Sequence, residues 1–350
     1  MRKSKKLIST LLVLVFSLTL LVGCGPGKET GDNGDAGAKE KKIVLRVAAQ
    51  DPEGHPNIDA LKAIKAKVEE ETNGRIEMKL YPANQLGDYS QVYEEVMKGS
   101  IEMALITIPT QYDARFEMMA MPYVATNYEQ AKDVFQPDSV VGQEWGSFHK
   151  GLGVKFLGFA MAGGVGVATT KELTNWEAPA EDKGVMIRIP QMEIWKHTMA
   201  DMGFRNVGIA YAELYTSMQT GIVDGSIGTS PLDTYSTVRD VIKYYYLYNV
   251  FYDNLSYIMN MDVWNSLKPE EQTLIADLCK EYNLKSIDNA QATDNEYLDK
   301  LNQEKGVKIV KVPQEVLDKM AKYVRENTWP KLEERLTKDL LDKLKKSVGL

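Results

Sequence analysis

Lys183-Gly184-Val185-Met186-Ile187-Arg188-Ile189-Pro190, followed by Glu213-Leu214-Tyr215-Thr216-Ser217-Met218-Gln219-Thr220-Gly221-Ile222-Val223-Asp224-Gly225, is the stretch from which the architecture reads outward. Val185–Ile189 has the composition of a buried strand that Pro190 stops. The segment from Ala212 to Thr220 has a helical pattern ended by Gly221, and Ile222–Ile227 reads as the next strand. Arg188 therefore sits in a strand among Val185, Ile187 and Ile189. A permanent charge there is costly to dehydrate unless an anion meets it, and a guanidinium fork matches a carboxylate in bidentate fashion. An organic acid is the expected partner.

The same alternation of strand and helix runs through the rest of the chain. Ile43–Ala48 predicts a buried strand. Ile58, Leu61, Ile64 and Val68 form one helix face that stops at Asn73-Gly74, and Ile76, Met78 and Leu80 alternate in a second strand ended by Tyr81-Pro82. A helix from Tyr89 to Lys98 ends at Gly99, and Ile101–Ile108 gives another strand before Pro109. A second cycle opens with a strand at Val154–Phe159. Such alternation implies a mostly parallel sheet whose ligand edge lies at the strand C-termini, here the loops Gln50–Pro56, Leu86–Tyr89 and Thr107–Tyr112. From Glu270 to Glu304 there is no Gly or Pro. One helix of that length, roughly 50 Å, exceeds a domain's diameter and is expected to cross between two lobes. Pro313–Leu344 predicts two further amphipathic helices.

At the N-terminus Arg2, Lys3, Lys5 and Lys6 precede an apolar run from Leu7 to Val22 that is short for a membrane span, and Leu21-Val22-Gly23-Cys24 follows. Residues 1–23 read as an export signal of the lipoprotein kind, with Cys24 acylated as the mature N-terminus. Residues 24–42 hold no aromatic or branched apolar side chain and read as a flexible tether. Cys279 is the one other cysteine, so no internal disulfide is expected once Cys24 carries lipid. Its place beside Leu274, Ile275 and Leu278 suits a small buried hydrophobe. The net charge of −7 becomes −11 once the four cationic signal residues are removed, which argues against nucleic acid as a partner.

With these pieces in hand, the mature chain resembles the solute-binding subunit of a tripartite ATP-independent periplasmic (TRAP) transporter, of the DctP type. The resemblance is carried by Gly54-His55-Pro56, Thr72-Asn73-Gly74-Arg75-Ile76, Tyr81-Pro82-Ala83-Asn84-Gln85-Leu86-Gly87-Asp88 and Met121-Pro122-Tyr123, and most strongly by the Lys183–Pro190 and Glu213–Gly225 segments. It implies an α/β, two-lobed fold like that of periplasmic binding proteins, with two mixed sheets flanked by helices and a long helix spanning both lobes. The lobes are expected at 43–163 plus 254–293 and at 164–253 plus 294–350. It further implies a receptor that closes on an organic acid and delivers it to one small and one large integral membrane subunit. The receptor would stand outside the cytoplasm, held by a lipid anchor at Cys24. Arg188 falls on the family arginine that pairs with the ligand carboxylate, Asp88 on a position facing the cleft, and Tyr211 on an aromatic that packs on the ligand.

Two departures shape the expected pocket. A second ligand arginine of many family members aligns with Val165, and an Asn expected to bond the ligand aligns with Gly228. What remains near the expected cleft is apolar or aromatic: Phe159, Met161 and Trp195, with Tyr112, Phe116 and Met192 as further candidates. Such a site suits an aromatic or branched monocarboxylate better than a small hydroxylated dicarboxylate. Gln50 and Asp51 end the first strand and could meet the ligand's far end, while His55 reads as a capping or packing residue.

Other functions fit less well. An exported enzyme would need a chemical constellation, yet the three histidines His55, His149 and His197 belong to no His-Glu-x-x-His, and there is no Gly-x-Ser-x-Gly or Cys/His cluster. No catalytic residue, metal site or cofactor is expected. A carboxylate receptor of an ATP-driven importer, or a sensor presented to a membrane kinase, would share the fold and the closure.

Overall fold

The computed structural model describes residues 41–210 and 213–349. The expected export signal with Cys24, most of the expected tether, and Tyr211 lie outside the described residues. Among the described residues no helix is long and apolar enough to cross a membrane.

Eleven strands are described: β1 Ile43–Ala49, β2 Ile76–Tyr81, β3 Met103–Ile106, β4 Val154–Gly164, β5 Val167–Thr169, β6 Met186–Ile189, β7 Arg205–Gly208, β8 Gly225–Ile227, β9 Tyr244–Tyr246, β10 Tyr252–Asn260 and β11 Lys308–Val310. They form two mixed sheets, ordered β2-β1-β3-β10-β4 and β11-β9-β5-β8-β6-β7. The expected α/β, two-sheet, two-lobed architecture is the one found.

Local chemistry explains most of the boundaries. The helix Pro56–Glu71 starts where His55 Nδ1 accepts the Asn57 N–H at 3.2 Å, and it is followed by Asn73 and Gly74 with positive φ. The helix Tyr89–Lys98 closes on Gly99 at φ 78°. Leu45, Val47, Ile58, Leu61, Ile64 and Val68 then join in one core, where the inward face of β1 meets the apolar stripe of that first helix.

The sequence pattern understated two features. β4 continues through Gly164, well past Phe159, and β10 enters the first sheet antiparallel between β3 and β4. Phe251-Tyr252-Asp253-Asn254-Leu255-Ser256 has no clean alternation because nearly all of β10 is buried on both faces. The C-terminal region also divides further than two helices. After Gln314–Asn327 the chain breaks at Trp329-Pro330, and the final helix is Lys338–Ser347. These helices pack against the segments 114–120 and 140–151 as well as against the helix Glu193–Asp201. Arg335 pairs with the buried Glu117, and Trp329 Nε1 donates to the Pro122 carbonyl at 3.0 Å.

Three segments connect the sheets. Val165 and the stretch before β10 exchange backbone bonds, Val165 N to Phe251 O at 2.9 Å and Val250 N to Val165 O at 3.0 Å. The third is the helix Pro269–Lys305, whose 37 residues span about 55 Å. It packs on β4 and the helix Pro56–Glu71 at one end and on the helix Pro231–Val238 and β11 at the other. Cys279, fully buried on this helix, has its thiol pushed up to about 12 by burial, which makes it an inert packing residue.

Candidate functional site

A cleft of about 600 Å³ opens where β6 and β8 of the second sheet approach β10 and the loop after β3. Arg188 lines it, while its neighbours Ile187 and Ile189 are 0% and 3% exposed on the other face of β6, as strand alternation requires. The arginine is itself only 4% exposed. Its Nε donates to the Ile209 carbonyl at 2.8 Å and its Nη1 to the Ile227 carbonyl at 3.4 Å. These two carbonyl bonds help hold the guanidinium in a fixed pose at a low-dielectric wall.

Gly228 stands directly behind this fork at φ +107°, and a Cβ there would come within 2.9 Å of Pro190 Cγ and 3.5 Å of Arg188 Nη1. Gly228→Ala is therefore expected to cost about 1–3 kcal/mol of stability through backbone strain and displacement of Pro190, seen as a lower urea midpoint at unchanged slope. An unchanged midpoint would remove any steric need for glycine at 228.

The other residues of the opening stretch build the scaffold. Lys183 is fully buried, and its ammonium is held by the carbonyls of Ala178 and Glu181. Asp224 accepts from Met186 N at 3.1 Å and pairs with Lys171 at 2.6 Å, tying β8 to β6. At Gly225 a Cβ would lie 2.5 Å from the Ala168 carbonyl, so only glycine lets β5 and β8 pair.

Arg188, Trp195 and Gly228 meet in the cleft, together with Phe116 and Met192. Trp195 stacks edge-on against Phe251 at 4.6 Å. The structure puts three other expected site residues elsewhere. Asp88 caps the helix Tyr89–Lys98, accepting from Ser90 N at 2.8 Å, and its neighbour Tyr89 reaches the cleft instead. Phe159 is fully buried against Phe135 and Phe156. Met161 faces a small separate cavity beside His55 and Ser286. Both lie on β4, which β10 displaces to the edge of the sheet, away from β3. Gln50 spends its Oε1 on Thr107 N at 2.7 Å and so positions the cleft loop Thr107–Thr110 rather than lining the cleft. Val165 is fully buried in the crossing segment.

Two polar residues at the cleft had no signal in the sequence pattern, Asp253 and Asn254. Adjacent strand residues normally face opposite ways, but the pairing of β10 with β4 shifts register between them, Asp253 opposite Gly163 and Asn254 opposite Met161. Burial pushes the Asp253 carboxyl up to about 7, and the nearby carboxylates of Asp233 and Asp51 push the same way. Among the described residues no Lys, Arg or His forms an ion pair with Asp253, and no group of three or more His, Cys, Asp or Glu side chains is arranged to hold a metal.

Residues 47–335 match the family model of the bacterial extracellular solute-binding proteins, family 7 (DctP). The C4-dicarboxylate-binding periplasmic protein DctP of Vibrio cholerae is 24% identical over 232 residues, 65% of this chain and 64% of that protein. A TRAP periplasmic solute-binding protein from Ochrobactrum anthropi, crystallised with its C-terminus in the ligand pocket, superposes with a TM-score of 0.79 at 22% identity, covering 89% of this chain and 96% of that one. One from Desulfovibrio salexigens with bound orotic acid gives 0.74 at 20% identity, covering 88% and 99%. These structural matches establish likeness of fold.

Proposed function

The chain belongs to the bacterial extracellular solute-binding proteins of family 7, and on that premise we propose that it is the receptor of a TRAP transporter, closing its two lobes on a small organic acid. The observation that carries the proposal is Arg188, a buried guanidinium fixed by two carbonyls at the wall of an interlobe cleft. The working lobes are 43–163 with 254–293 and 164–253 with 294–350.

Closure follows from linkage, since an acid that contacts both lobes favours the closed state by its differential affinity for it. The crossing strands near Val165 and Phe251 and the helix Pro269–Lys305 serve as the hinge. Water exclusion on closure strengthens the arginine–carboxylate pair. Trp195, Phe251 and Phe116 supply apolar walls, and these favour an aromatic or branched body on the acid. Tyr211, which follows Ala210 of the cleft wall in the sequence, is proposed to pack on the ligand.

The export signal and Cys24 complete the proposal, with a lipid at Cys24 holding the receptor at the outer face of the membrane, where one small and one large integral subunit receive the acid.

A thermal-shift screen of the full chain tests the ligand class. An aromatic or branched carboxylate at 100 times its Kd is expected to add about 2.7 kcal/mol to stability and to raise the melting temperature accordingly. A response restricted to small sugar acids would overturn the aromatic or branched assignment, and no response to any acid would overturn the receptor assignment.

A further inference from the structure

The cleft has a second pole, and its chemistry is the reverse of that at Arg188. Asn254 is 8% exposed, and its Nδ2 donates to the Tyr252 carbonyl at 2.8 Å. That bond fixes the amide so that Oδ1 is the free acceptor, and this atom is buried without a hydrogen-bond partner. A buried polar atom left unmade costs about 1–3 kcal/mol, so a ligand group that satisfies it is strongly favoured. Beside it Asp253 presents a carboxylate to the same cleft.

Asn254 Oδ1 has no donor and the Asp253 carboxylate has only the backbone N–H of Asn254, so the pair calls for a ligand group rich in N–H or O–H. The surrounding charge then chooses between a neutral and a cationic donor. Asp253 feels Asp233, at the start of the helix Pro231–Val238, and Asp51, in the loop after β1. His55 lies against this group, 3.4 Å from Asp51, and acts on Asp233. The negative charge of Asp233 and Asp51 thus reaches the Asp253 carboxylate, which has no cation paired with it among the described residues, and a cation placed there relieves that repulsion, whereas a hydroxyl does not. A resident metal does not take this place, since among the described residues no side-chain group has metal-holding geometry.

We propose that the ligand is an amino-bearing organic acid, its carboxylate on Arg188 and its ammonium bonded to the Asp253 carboxylate and Asn254 Oδ1. An ammonium has three donors and no acceptor, which matches this pair of acceptors. Trp195, Phe251 and Met192 enclose the carbon skeleton between the two poles. The inference rests on the assignment of Arg188 as the carboxylate site, and it adds the second half of the recognition.

Matched acids measured by calorimetry on the full chain separate the two. The pairs are L- and D-phenylalanine against 3-phenylpropionate, and 5-aminovalerate against valerate. In at least one pair the amino acid is expected to bind about tenfold or more tighter than its desamino partner, the advantage of a charge-assisted hydrogen bond. Asp253→Asn is expected to reduce that ratio by about tenfold, because the amide keeps the shape but loses the charge. Amino acids that bind no better than their desamino partners in every pair would overturn the proposal, as would a ratio that survives Asp253→Asn. Arg188→Ala measured on the same acids tells the two failures apart. If it weakens the desamino acids while no amino preference exists, only the ammonium subsite falls; if it weakens none of them, the carboxylate site falls as well.

Discussion

Arg188→Ala is expected to weaken binding of the acid by about 2–5 kcal/mol, a loss of roughly 30- to several-thousand-fold in affinity. The size follows from burial. A surface arginine would lose a screened contact worth less than about 1 kcal/mol, but this one is 4% exposed and held by the Ile209 and Ile227 carbonyls. Its truncation leaves the ligand carboxylate dehydrated on closure with no cation opposite. Arg188→Lys should recover only part of the loss, since an ammonium cannot reproduce the planar fork. Calorimetry with the acid identified by thermal shift measures all three proteins. Equal affinity for wild type and Arg188→Ala would remove Arg188 from the site.

The second large effect concerns stability and pH. Asp294, 6% exposed in the middle of the helix Pro269–Lys305, accepts from Gly164 N at 2.8 Å and from the Tyr128 hydroxyl, while its other oxygen is buried without a partner. Gly163 must be glycine beside it, because a Cβ there would sit 2.6 Å from Asp294 Oδ1. Burial raises the carboxyl to about 7, with the two hydrogen bonds opposing and Asp233 adding to the rise. A pKa raised in the folded state means that the native protein binds the proton more tightly than the unfolded chain does. The stabilising contribution is therefore complete below the unfolded value near 4 and is lost as pH rises through about 7.

Asp253 shifts in the same direction and adds to the effect. Stability should thus increase as pH falls from 8 to 5. Asp294→Asn keeps an acceptor for Gly164 and Tyr128 but cannot ionise. It should stabilise the protein at pH 8 by on the order of 2–4 kcal/mol, by a smaller amount of about 1–2 kcal/mol at pH 5, and little below about pH 4, flattening the slope between. Urea unfolding across that range tests this, and parallel curves for variant and wild type would show that Asp294 does not ionise at the crossover.

The sequence was most legible where the interactions are local. Gly99, Pro190 and the Asn73-Gly74 pair end their elements through their own backbone preferences, and the boundaries read from them agree with the structure. Arg188 was legible for a related reason, since a charge inside an apolar strand conflicts with its neighbours and so signals a partner. Phe159 and Met161 illustrate the opposite case. They share one strand face in the expected vicinity of the site, yet β10 inserts between β3 and β4 and turns that strand into the sheet's edge. Nothing near Phe159 encodes this insertion, because the inserted strand comes from some ninety positions later in the chain.

By itself, then, the sequence determined the two-lobed α/β architecture, the long connecting helix and an arginine placed in an apolar strand, all of which rest on patterns along contiguous stretches of chain. The tertiary structure alone decided which side chains share the cleft with that arginine. The shift in strand register that brings Asp253 and Asn254 to the cleft, and the displacement of Phe159 and Met161 from it, arise from pairing between distant strands. That pairing is set by the free energy of the whole packed sheet and not by the local preference of any segment.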